Sequence, residues 1–395
     1  MILRVPSYYK EFRCIADKCE DSCCIGWEID IDEDTFSYYK SVEGDFGRRL
    51  KEHMVSEDVN SFILRENGWC PFLNEKKLCD ICIHLGEEAL SEVCTEYPRF
   101  TIEYGNVREK ALSLSCEEVG RIVFSSEEKM TFEEMELPDE FAVYEDWEEE
   151  DELVDEPADD LEDEPERKLA DTETEEDFEE TEYEEEEAYE VSWKFREKLT
   201  EVRDTAIEIL QNRALPMQER IRQYLIYCAE AQEITLNQEE IAIDRYDAFL
   251  RRMEAYDELE VLNDRWTNIK SALGTFFKEH DYTSALEAFL KANAEREYEY
   301  EHLMVYFTFR YFMKAWYDGN VLSKAQFAAA SYLVIRDMDI MRYFENGKCY
   351  KLCDRIENVK DYAKEVEHSE ENLEMLEDAF AFEEVFHIES MLAQI

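Results

Sequence analysis

Cysteine is concentrated in the first third of the chain, where its spacing suits metal chemistry. Nine of the 12 cysteines fall within the first 116 of the 395 residues, and four of them occupy the eleven residues from Cys14 to Cys24. A loop of that length can wrap several thiols around one small centre, and clustered thiols that stay reduced are more often metal ligands than disulfides. Cys23 and Cys24 are adjacent and stand in a polar context, unlike typical buried structural cysteine. We therefore predict that the N-terminal cysteines bind metal.

A second group of cysteines extends the predicted site, from Cys70 to Cys116. One tetrahedral zinc or one cubane iron–sulfur cluster needs about four ligands, so the second group either completes the first site or forms another. Spacing does not separate zinc from iron–sulfur, because both accept four thiolates. The Cys-x3-Cys-x2-Cys spacing of radical enzymes is missing, since Cys24 directly follows Cys23. The predicted metal ligands are Cys14, Cys19, Cys23, Cys24, Cys70, Cys79, Cys94 and Cys116.

The net charge restricts the partners of the chain. It has 43 Lys+Arg against 100 Asp+Glu, a formal net charge of −57. Because nucleic acids and anionic membrane surfaces attract basic proteins, we expect no binding to either. Hydrophobic residues make up 45% of the chain and include 23 Phe and 23 Tyr, enough for a sizeable core. We see no apolar signal segment and no apolar stretch of about 18 residues, so we expect a cytoplasmic protein.

An acidic tract divides the chain into three predicted parts. From Glu145 to Glu190 the chain has 28 acidic residues against Arg167 and Lys168 alone. Self-repulsion and few apolar residues predict a disordered spacer there, with a docking tail for a basic partner as the alternative. We predict a cysteine-rich metal-cluster domain over residues 1–132, an acidic disordered linker or insertion over residues 133–190, and an α-helical domain over residues 191–395.

Apolar residues after the acidic tract recur with a helical period. One stripe comprises Trp193, Leu199, Val202, Ala206, Ile209 and Leu210, and another comprises Tyr298, His302, Val305, Tyr306, Phe309, Met313 and Trp316. Pro216 suits the start of a helix, Gly319 and Gly347 suit helix ends, and Asn237 could cap a helix running through Phe249. Strand patterns are short, around residues 61–64 and 100–104. The predicted fold class is mainly α, with a cysteine-rich metal-binding N-terminal domain followed by an all-α helical domain.

The cysteines also lie within longer sequence motifs. Cys19-Glu20-Asp21-Ser22-Cys23-Cys24-Ile25-Gly26-Trp27 is followed by Cys70-Pro71-Phe72-Leu73, Leu78-Cys79-Asp80-Ile81, Cys94-Thr95-Glu96-Tyr97-Pro98-Arg99 and Leu114-Ser115-Cys116-Glu117. In this order they resemble the flagellin lysine-N-methylase (FliB) family over about residues 6–125, whereas the helical half fits that family in length and character only. Glu117 stands where the family usually has Pro, and Cys82 is an extra thiol. A shorter form of the pattern also resembles the broader cysteine-cluster proteins described as zinc or iron chelators.

The resemblance to the FliB family implies methyl transfer from S-adenosylmethionine to lysine ε-amines of flagellin, with an iron–sulfur cluster near the chemistry. None of the 10 glycines forms Gly-x-Gly, so the nucleotide loop of doubly wound methyltransferases is absent. Our cofactor-binding candidates are Tyr97 and Arg99. Arg99 could pair with the cofactor carboxylate and Tyr97 could line the pocket; alternatively Tyr97 packs and Arg99 pairs with nearby acids. The sequence nominates no catalytic residue.

Three functions of different classes fit the sequence. The first is the S-adenosylmethionine-dependent protein-lysine N-methyltransferase. The second is a non-catalytic zinc or iron–sulfur binding protein, and the third is an acidic chaperone or adaptor. Among the other candidates, we expect His84 to be a surface residue, Trp27 to pack over the cysteine loop, Cys228 to lie in the core, and Cys349 and Cys353 to be isolated thiols.

Overall fold

A four-stranded sheet opens the fold. The computed structural model describes residues 1–25, 29–56, 59–138, 194–234, 236 and 243–395. The sheet contains β1 (Ile2–Pro6), β4 (Arg99–Tyr104), β5 (Val107–Leu112) and β6 (Phe132–Glu136), in the order β4-β5-β1-β6. Strand β1 runs parallel to β5 and antiparallel to β6, while β4 and β5 form a hairpin that turns at Gly105 with φ +52°. The sheet thus joins segments that are far apart in sequence.

The residues between β1 and β4 in the sequence form a small lobe. Its strands β2 (Met54–Ser56) and β3 (Asn60–Phe62) form a second hairpin, and its helices are α1 (Glu33–Ser41), α2 (Gly44–Glu52), α3 (Asp80–Leu85) and α4 (Glu92–Glu96). Asp32 caps α1 by accepting from the Thr35 amide at 2.9 Å, and its other oxygen accepts from the Glu92 amide at 2.9 Å. One carboxylate therefore ties the starts of α1 and α4 together. The lobe has its own core around Phe72 and Tyr39.

These strands correct the predicted fold class for the N-terminal part. Strands β3 and β4 confirm the two strand predictions, but β1, β2, β5 and β6 were not predicted. The chain is mainly helical, but its N-terminal part is mixed α and β, which the predicted fold class did not state. A five-residue strand such as β1 carries little periodic signal, because its two partner strands lie more than a hundred residues away in sequence and packing decides the pairing. Strand β6 occupies residues at the start of the predicted acidic linker, and residues 139–193 lie outside the described part of the chain.

The second half is helical throughout its described residues, as predicted. Its helices are α6 (residues 194–210), α7 (Met217–Ala231), α8 (Arg245–Asp257), α9 (Asp264–Glu279), α10 (Tyr282–Ala292), α11 (Glu297–Tyr311), α12 (Ala315–Asp318), α13 (Val321–Glu345), α14 (Leu352–Val366), α15 (Glu370–Phe382) and α16 (Ile388–Gln394). Helix α5 (Glu117–Ser125) belongs to the N-terminal part, where it lies between β5 and β6 in the chain. Helix α13 is buried along almost its whole length and packs against α7, α11, α14 and α15. It is the central helix of the bundle.

Most of the predicted helix boundaries are confirmed. Pro216 directly precedes α7, Gly319 ends α12 with φ +69°, and Gly347 follows α13 with φ +66°. Phe249 lies in α8, whereas the cap predicted at Asn237 lies outside the described residues, as does Trp193 of the first stripe. The other members of both stripes are buried or half-buried, which confirms that they are core.

One hydrophobic core joins the sheet to the helical bundle. It includes Tyr8, Phe12 and Leu114 from the N-terminal part together with the buried faces of the bundle helices. Helix α5 approaches α14 so closely that a Cβ at Gly120 would lie 3.2 Å from Ile356 Cγ2. The N-terminal part is therefore fixed against α14. Among the described residues, no helix is long and apolar enough to cross a membrane.

Candidate thiol centre

The first four cysteines lie on a loop whose end is fixed to the second cysteine segment. Two of the four are exposed and two are half-buried. The Cys70 amide donates a hydrogen bond to the Cys24 carbonyl at 2.8 Å, and Ile25 pairs with Trp69 in an isolated antiparallel bridge. This backbone pairing places Cys70 opposite Cys24. Trp27, predicted to shield the loop, lies outside the described residues.

A tight turn before α3 positions the next pair of cysteines. Leu73 pairs with Cys79 in an isolated bridge, and the Asp80 amide donates to the Phe72 carbonyl at 2.8 Å. Helix α3 then places Cys82 nearly one turn after Cys79, and the two thiols interact with each other. The extra thiol, Cys82, therefore lies beside a predicted ligand.

Cys116 stands at the N-terminus of α5, where backbone amides favour a thiolate. Its carbonyl accepts from the Gly120 amide at 3.1 Å. Burial raises the pKa of the Cys116 thiol to about 11, against the opposing effect of the Val119 and Glu118 amides. Burial also raises the pKa of the Cys94 thiol, on α4, to about 11. These thiols are protonated at neutral pH unless a cation offsets the cost of burial.

The fold gathers all nine N-terminal thiols into one region, in which each either affects the pKa of another or is affected by one. Cys19 is affected by Cys116, Cys24 by Cys23, Cys70 and Cys79, Cys82 by Cys79 and Cys14, Cys94 by Cys23, Cys79 and Cys82, and Cys116 by Cys23 and Cys14. The eight predicted ligands and Cys82 are thus neighbours, and none of the 12 cysteines forms a disulfide.

The donor chemistry of this region fits a thiophilic metal or an iron–sulfur centre. Burial and the nearby Glu117 carboxylate raise the pKa of the Cys19 thiol to about 12, and burial and Cys79 raise that of Cys82 to about 11. A bound cation reverses this effect, because a coordinating thiol is deprotonated outright. Within the described residues, no three Cys, His, Asp or Glu side chains meet in a geometry that would hold a metal ion. The metal centre therefore stays a prediction.

Tyr97, the candidate for lining a cofactor pocket, lies at the edge of the thiol region, and its role toward a cofactor stays a prediction. Its hydroxyl contacts Ser115 Oγ at 3.2 Å, and its ring centre is 6.4 Å from that of His368. Burial, and then the neighbouring Cys116 thiol, raise the pKa of the Tyr97 phenol well above its ordinary value. At neutral pH the phenol is protonated, so it can donate a hydrogen bond but cannot serve as a base.

Arg99 contacts aromatic rings near the start of the cysteine loop. Its guanidinium carbon lies 5.4 Å from the centre of the Phe12 ring, and its side chain interacts with the Tyr9 hydroxyl. The side chain is half-buried. Tyr97 and Arg99 therefore have different neighbours, and a role for Arg99 toward a cofactor stays a prediction.

A buried polar network beside the thiol region was not foreseen from the sequence. The Tyr306 and Tyr311 hydroxyls each donate to Glu367 Oε2 at 2.8 Å, and Arg310 Nε lies 3.2 Å from the same oxygen. The Leu114 amide donates to the Tyr306 hydroxyl at 3.2 Å, so the network holds the backbone just before Cys116. The only signal in the sequence was Arg310, a charged residue within the second apolar stripe.

The remaining sequence candidates have no metal-binding arrangement among the described residues. His84 is exposed and stacks on Phe46 with ring centres 4.4 Å apart, and Cys228 is fully buried in the core. Cys349 and Cys353 are exposed free thiols near the start of α14. These positions agree with the surface, core and isolated-thiol interpretations.

Comparison with known proteins finds a family match for the helical half of the chain. The family model of the FliB lysine N-methylase C-terminal domain matches residues 203–394, which is the helical half. The sequence motifs that resemble the FliB family lie only in the cysteine half. The family match therefore extends the similarity to most of the helical bundle. No solved structure matches the chain.

Curated relatives come from Salmonella. A lysine-N-methylase of Salmonella typhimurium strain LT2 is 31% identical over 136 residues, covering 33% of this chain and 34% of that protein, and one of Salmonella choleraesuis matches equally. The flagellar biosynthetic protein FliU of Salmonella muenchen is 30% identical over 142 residues, covering 33% of this chain and 80% of that protein. The match to the two lysine-N-methylases spans about a third of their length.

Proposed function

This chain belongs to the FliB lysine N-methylase family, and we propose that it is a protein-lysine N-methyltransferase acting on flagellin. The observation that carries the proposal is the match of the helical half to the family's C-terminal domain, together with a relative of which the chain covers 80%. The names lysine-N-methylase and flagellar biosynthetic protein belong to those relatives. Their chemistry and their flagellar context are extended to this chain as a proposal.

S-adenosylmethionine is the proposed methyl donor, and an iron–sulfur cluster is the proposed resident cofactor, with zinc as the alternative. The residues that would hold the cluster are the predicted ligands Cys14, Cys19, Cys23, Cys24, Cys70, Cys79, Cys94 and Cys116. When bound, such a cluster supplies redox chemistry or a Lewis-acidic iron. The thiol-rich donor set supports this assignment, and a reduced cytoplasmic location is part of the proposal.

The acidic character of the chain suits a substrate that presents lysine. A formal net charge of −57 attracts the ε-ammonium group of a lysine side chain. That group has a pKa of about 10.4, so it must lose a proton before its nitrogen can attack a methyl sulfonium. Tyr97 is protonated and can position the acceptor by donating a hydrogen bond, while another group or water must take the proton.

Methyl transfer to purified flagellin tests the proposal. We expect label from methyl-labelled S-adenosylmethionine to appear on flagellin lysines when the reduced, metal-loaded chain is present. Flagellin whose lysines have been acetylated is the control, because acetylation removes the nucleophilic amine. Equal labelling of native and acetylated flagellin, or no labelling of either, contradicts the proposal.

A metal-binding protein without catalysis is the second candidate, and the clustered thiols favour it as much as they favour the enzyme. Colour separates the iron–sulfur methylase from a zinc-binding protein when the chain is purified without oxygen, and the flagellin assay separates it from a non-catalytic iron–sulfur protein. A brown protein with broad visible absorbance supports the iron–sulfur methylase, whereas a colourless protein with stoichiometric zinc supports the binding protein. An acidic adaptor would require neither metal, and it is motivated by the net charge of −57 and the acidic tract from Glu145 to Glu190.

Arg99 offers a direct test of cofactor binding. If its guanidinium forms a bidentate pair with the carboxylate of S-adenosylmethionine, Arg99→Lys should weaken binding about five- to a hundredfold, on the order of 1–3 kcal/mol, because an ammonium cannot form the planar fork. Calorimetric titration at matched metal content measures the change. Arg48→Lys, at a side chain that is 73% exposed, is the control. Unchanged affinity would leave Arg99 with only its contact to Phe12 and Tyr9.

A further inference from the structure

The cysteine loop is fixed to the helical bundle by two lysines of α14. Lys364 Nζ donates to Asp21 Oδ2 at 2.9 Å and to the Ser22 carbonyl at 3.3 Å, and Lys360 Nζ lies 3.1 Å from the same Asp21 oxygen. The two lysine side chains are only 8% and 11% exposed. Residues four apart share one face of a helix, so both ammonium groups point at one loop.

The opposite side of the same loop is held by the start of α5. Glu117 Oε2 accepts from the Glu20 amide at 2.9 Å, from the Asp21 amide at 3.4 Å and from the Cys19 thiol at 3.5 Å. Glu117 directly follows Cys116. The loop segment from Cys19 to Ser22 is therefore clamped between a carboxylate of α5 and two ammonium groups of α14.

Glu357 and Asp361 of α14 also interact electrostatically with Lys360, but each forms its ion pairs with arginine. Asp361 Oδ2 accepts from Arg265 Nε at 2.9 Å, and Glu357 Oε2 accepts from Arg342 Nη1 at 2.9 Å. Among the described residues, Asp21 is the one carboxylate that forms ion pairs with both lysines. Burying an ammonium group is costly unless an anion compensates it, and a metal centre with four thiolate ligands carries a net negative charge.

We propose that Lys360 and Lys364 are positioning residues of the thiol centre: they hold the Cys19–Cys24 loop against α14 and supply the positive charge that a thiolate-bound metal needs. The inference rests on the proposed metal centre. Its consequence is that the cysteine part alone does not complete the site, because two of the groups that support it belong to the helical half. Neither lysine would touch the reacting atoms.

Two measurements on the full-length chain test the two roles. Amide hydrogen exchange in the metal-free, reduced protein reports how firmly the loop is held. We expect exchange across residues 19–24 to become about tenfold faster in the Lys360→Met/Lys364→Met variant. Competition between the protein and a chelator for Zn²⁺ reports the metal affinity, which should fall about ten- to a hundredfold. Lys278→Met, at an exposed lysine of α9, is the matched control.

Two further variants separate the effect of the positive charge from the effect of anchoring the loop. Lys360→Arg/Lys364→Arg keeps both charges and should retain most of the Zn²⁺ affinity. Asp21→Asn removes the loop carboxylate but keeps both ammonium groups. It should speed exchange across the loop while leaving Zn²⁺ affinity above that of the double methionine variant. Thermal unfolding identifies any variant that does not fold.

Each outcome decides the inference. Exchange and Zn²⁺ affinity in the double methionine variant equal to those of Lys278→Met would overturn it, and so would faster exchange with unchanged Zn²⁺ affinity, since the lysines would then be structural only. If wild type takes up no metal with its thiols reduced, the metal centre and the inference both fail. If wild type binds metal and the variants do not differ from it, the inference fails alone.

Discussion

A chain with serine in place of Cys24 is expected to lose its bound metal. Cys24 lies among the other donors: its carbonyl accepts from the Cys70 amide at 2.8 Å, and its thiol interacts with Cys23 and Cys70 and lies near Cys79. A serine hydroxyl stays protonated and is a poor ligand for a soft metal centre. The binding free energy of such a centre is part of the folding free energy, so the N-terminal part should also become less stable.

Metal analysis and thermal unfolding of the reduced protein measure this effect. We expect metal per chain to fall at least about tenfold in Cys24→Ser and also in Cys23→Ser. Cys353→Ser, at an exposed thiol on α14, should keep its metal and serves as the control, and Cys228→Ser should also keep it because that thiol lies in the bundle core. Equal metal content in all four variants would remove Cys23 and Cys24 from the centre.

Removing Arg203 is expected to destabilise the whole chain by about 3–5 kcal/mol, because it leaves a buried carboxylate without its cation. Arg203 Nη1 and Nη2 donate to the two oxygens of Glu109 at 2.6 Å each, and both side chains are fully buried. The Tyr104 hydroxyl also donates to Glu109 Oε1 at 2.7 Å. Without Arg203, the Glu109 carboxylate would keep the Tyr104 hydroxyl but lose both guanidinium donors. The pair joins β5 to α6, so it couples the sheet to the bundle.

Urea unfolding of Arg203→Met measures the loss. The double variant Arg203→Met/Glu109→Gln should recover part of it, because no buried charge is then unpaired. Arg251→Met is the matched control: Arg251 pairs with Asp247 at 3.0 Å, both side chains are 55% exposed, and such surface pairs contribute about 0–1 kcal/mol. Equal losses in Arg203→Met and Arg251→Met would show that the buried pair does not couple the two parts.

The expected unfolding behaviour follows from the same contacts. Because the Arg203–Glu109 pair and the shared hydrophobic core both cross from sheet to bundle, wild type should unfold in one cooperative transition. In Arg203→Met the N-terminal part should unfold at lower urea than the bundle. Circular dichroism follows the helices and fluorescence of the tryptophans adds a second probe, so noncoincident transitions would be visible.

Local patterns in the sequence were sufficient for part of the fold and most of the thiol region. The i, i+3, i+4 stripes predicted the helices, short apolar runs predicted β3 and β4, and cysteine density predicted the thiols that the fold gathers. Stripe patterns did not show that α13 would be buried on nearly all sides. Burial on all sides depends on how many helices surround an element, which periodicity does not encode.

The sequence by itself determined where thiols concentrate and which segments are helical, because residue chemistry and helical period act over a few neighbouring residues. Only the tertiary structure decided what surrounds the thiols. The parallel pairing of β1 with β5, the bond between Lys364 and Asp21 and the network around Glu367 join residues far apart in the chain. Such contacts form because packing brings distant elements together, and a buried charge then requires whichever partner lies within reach.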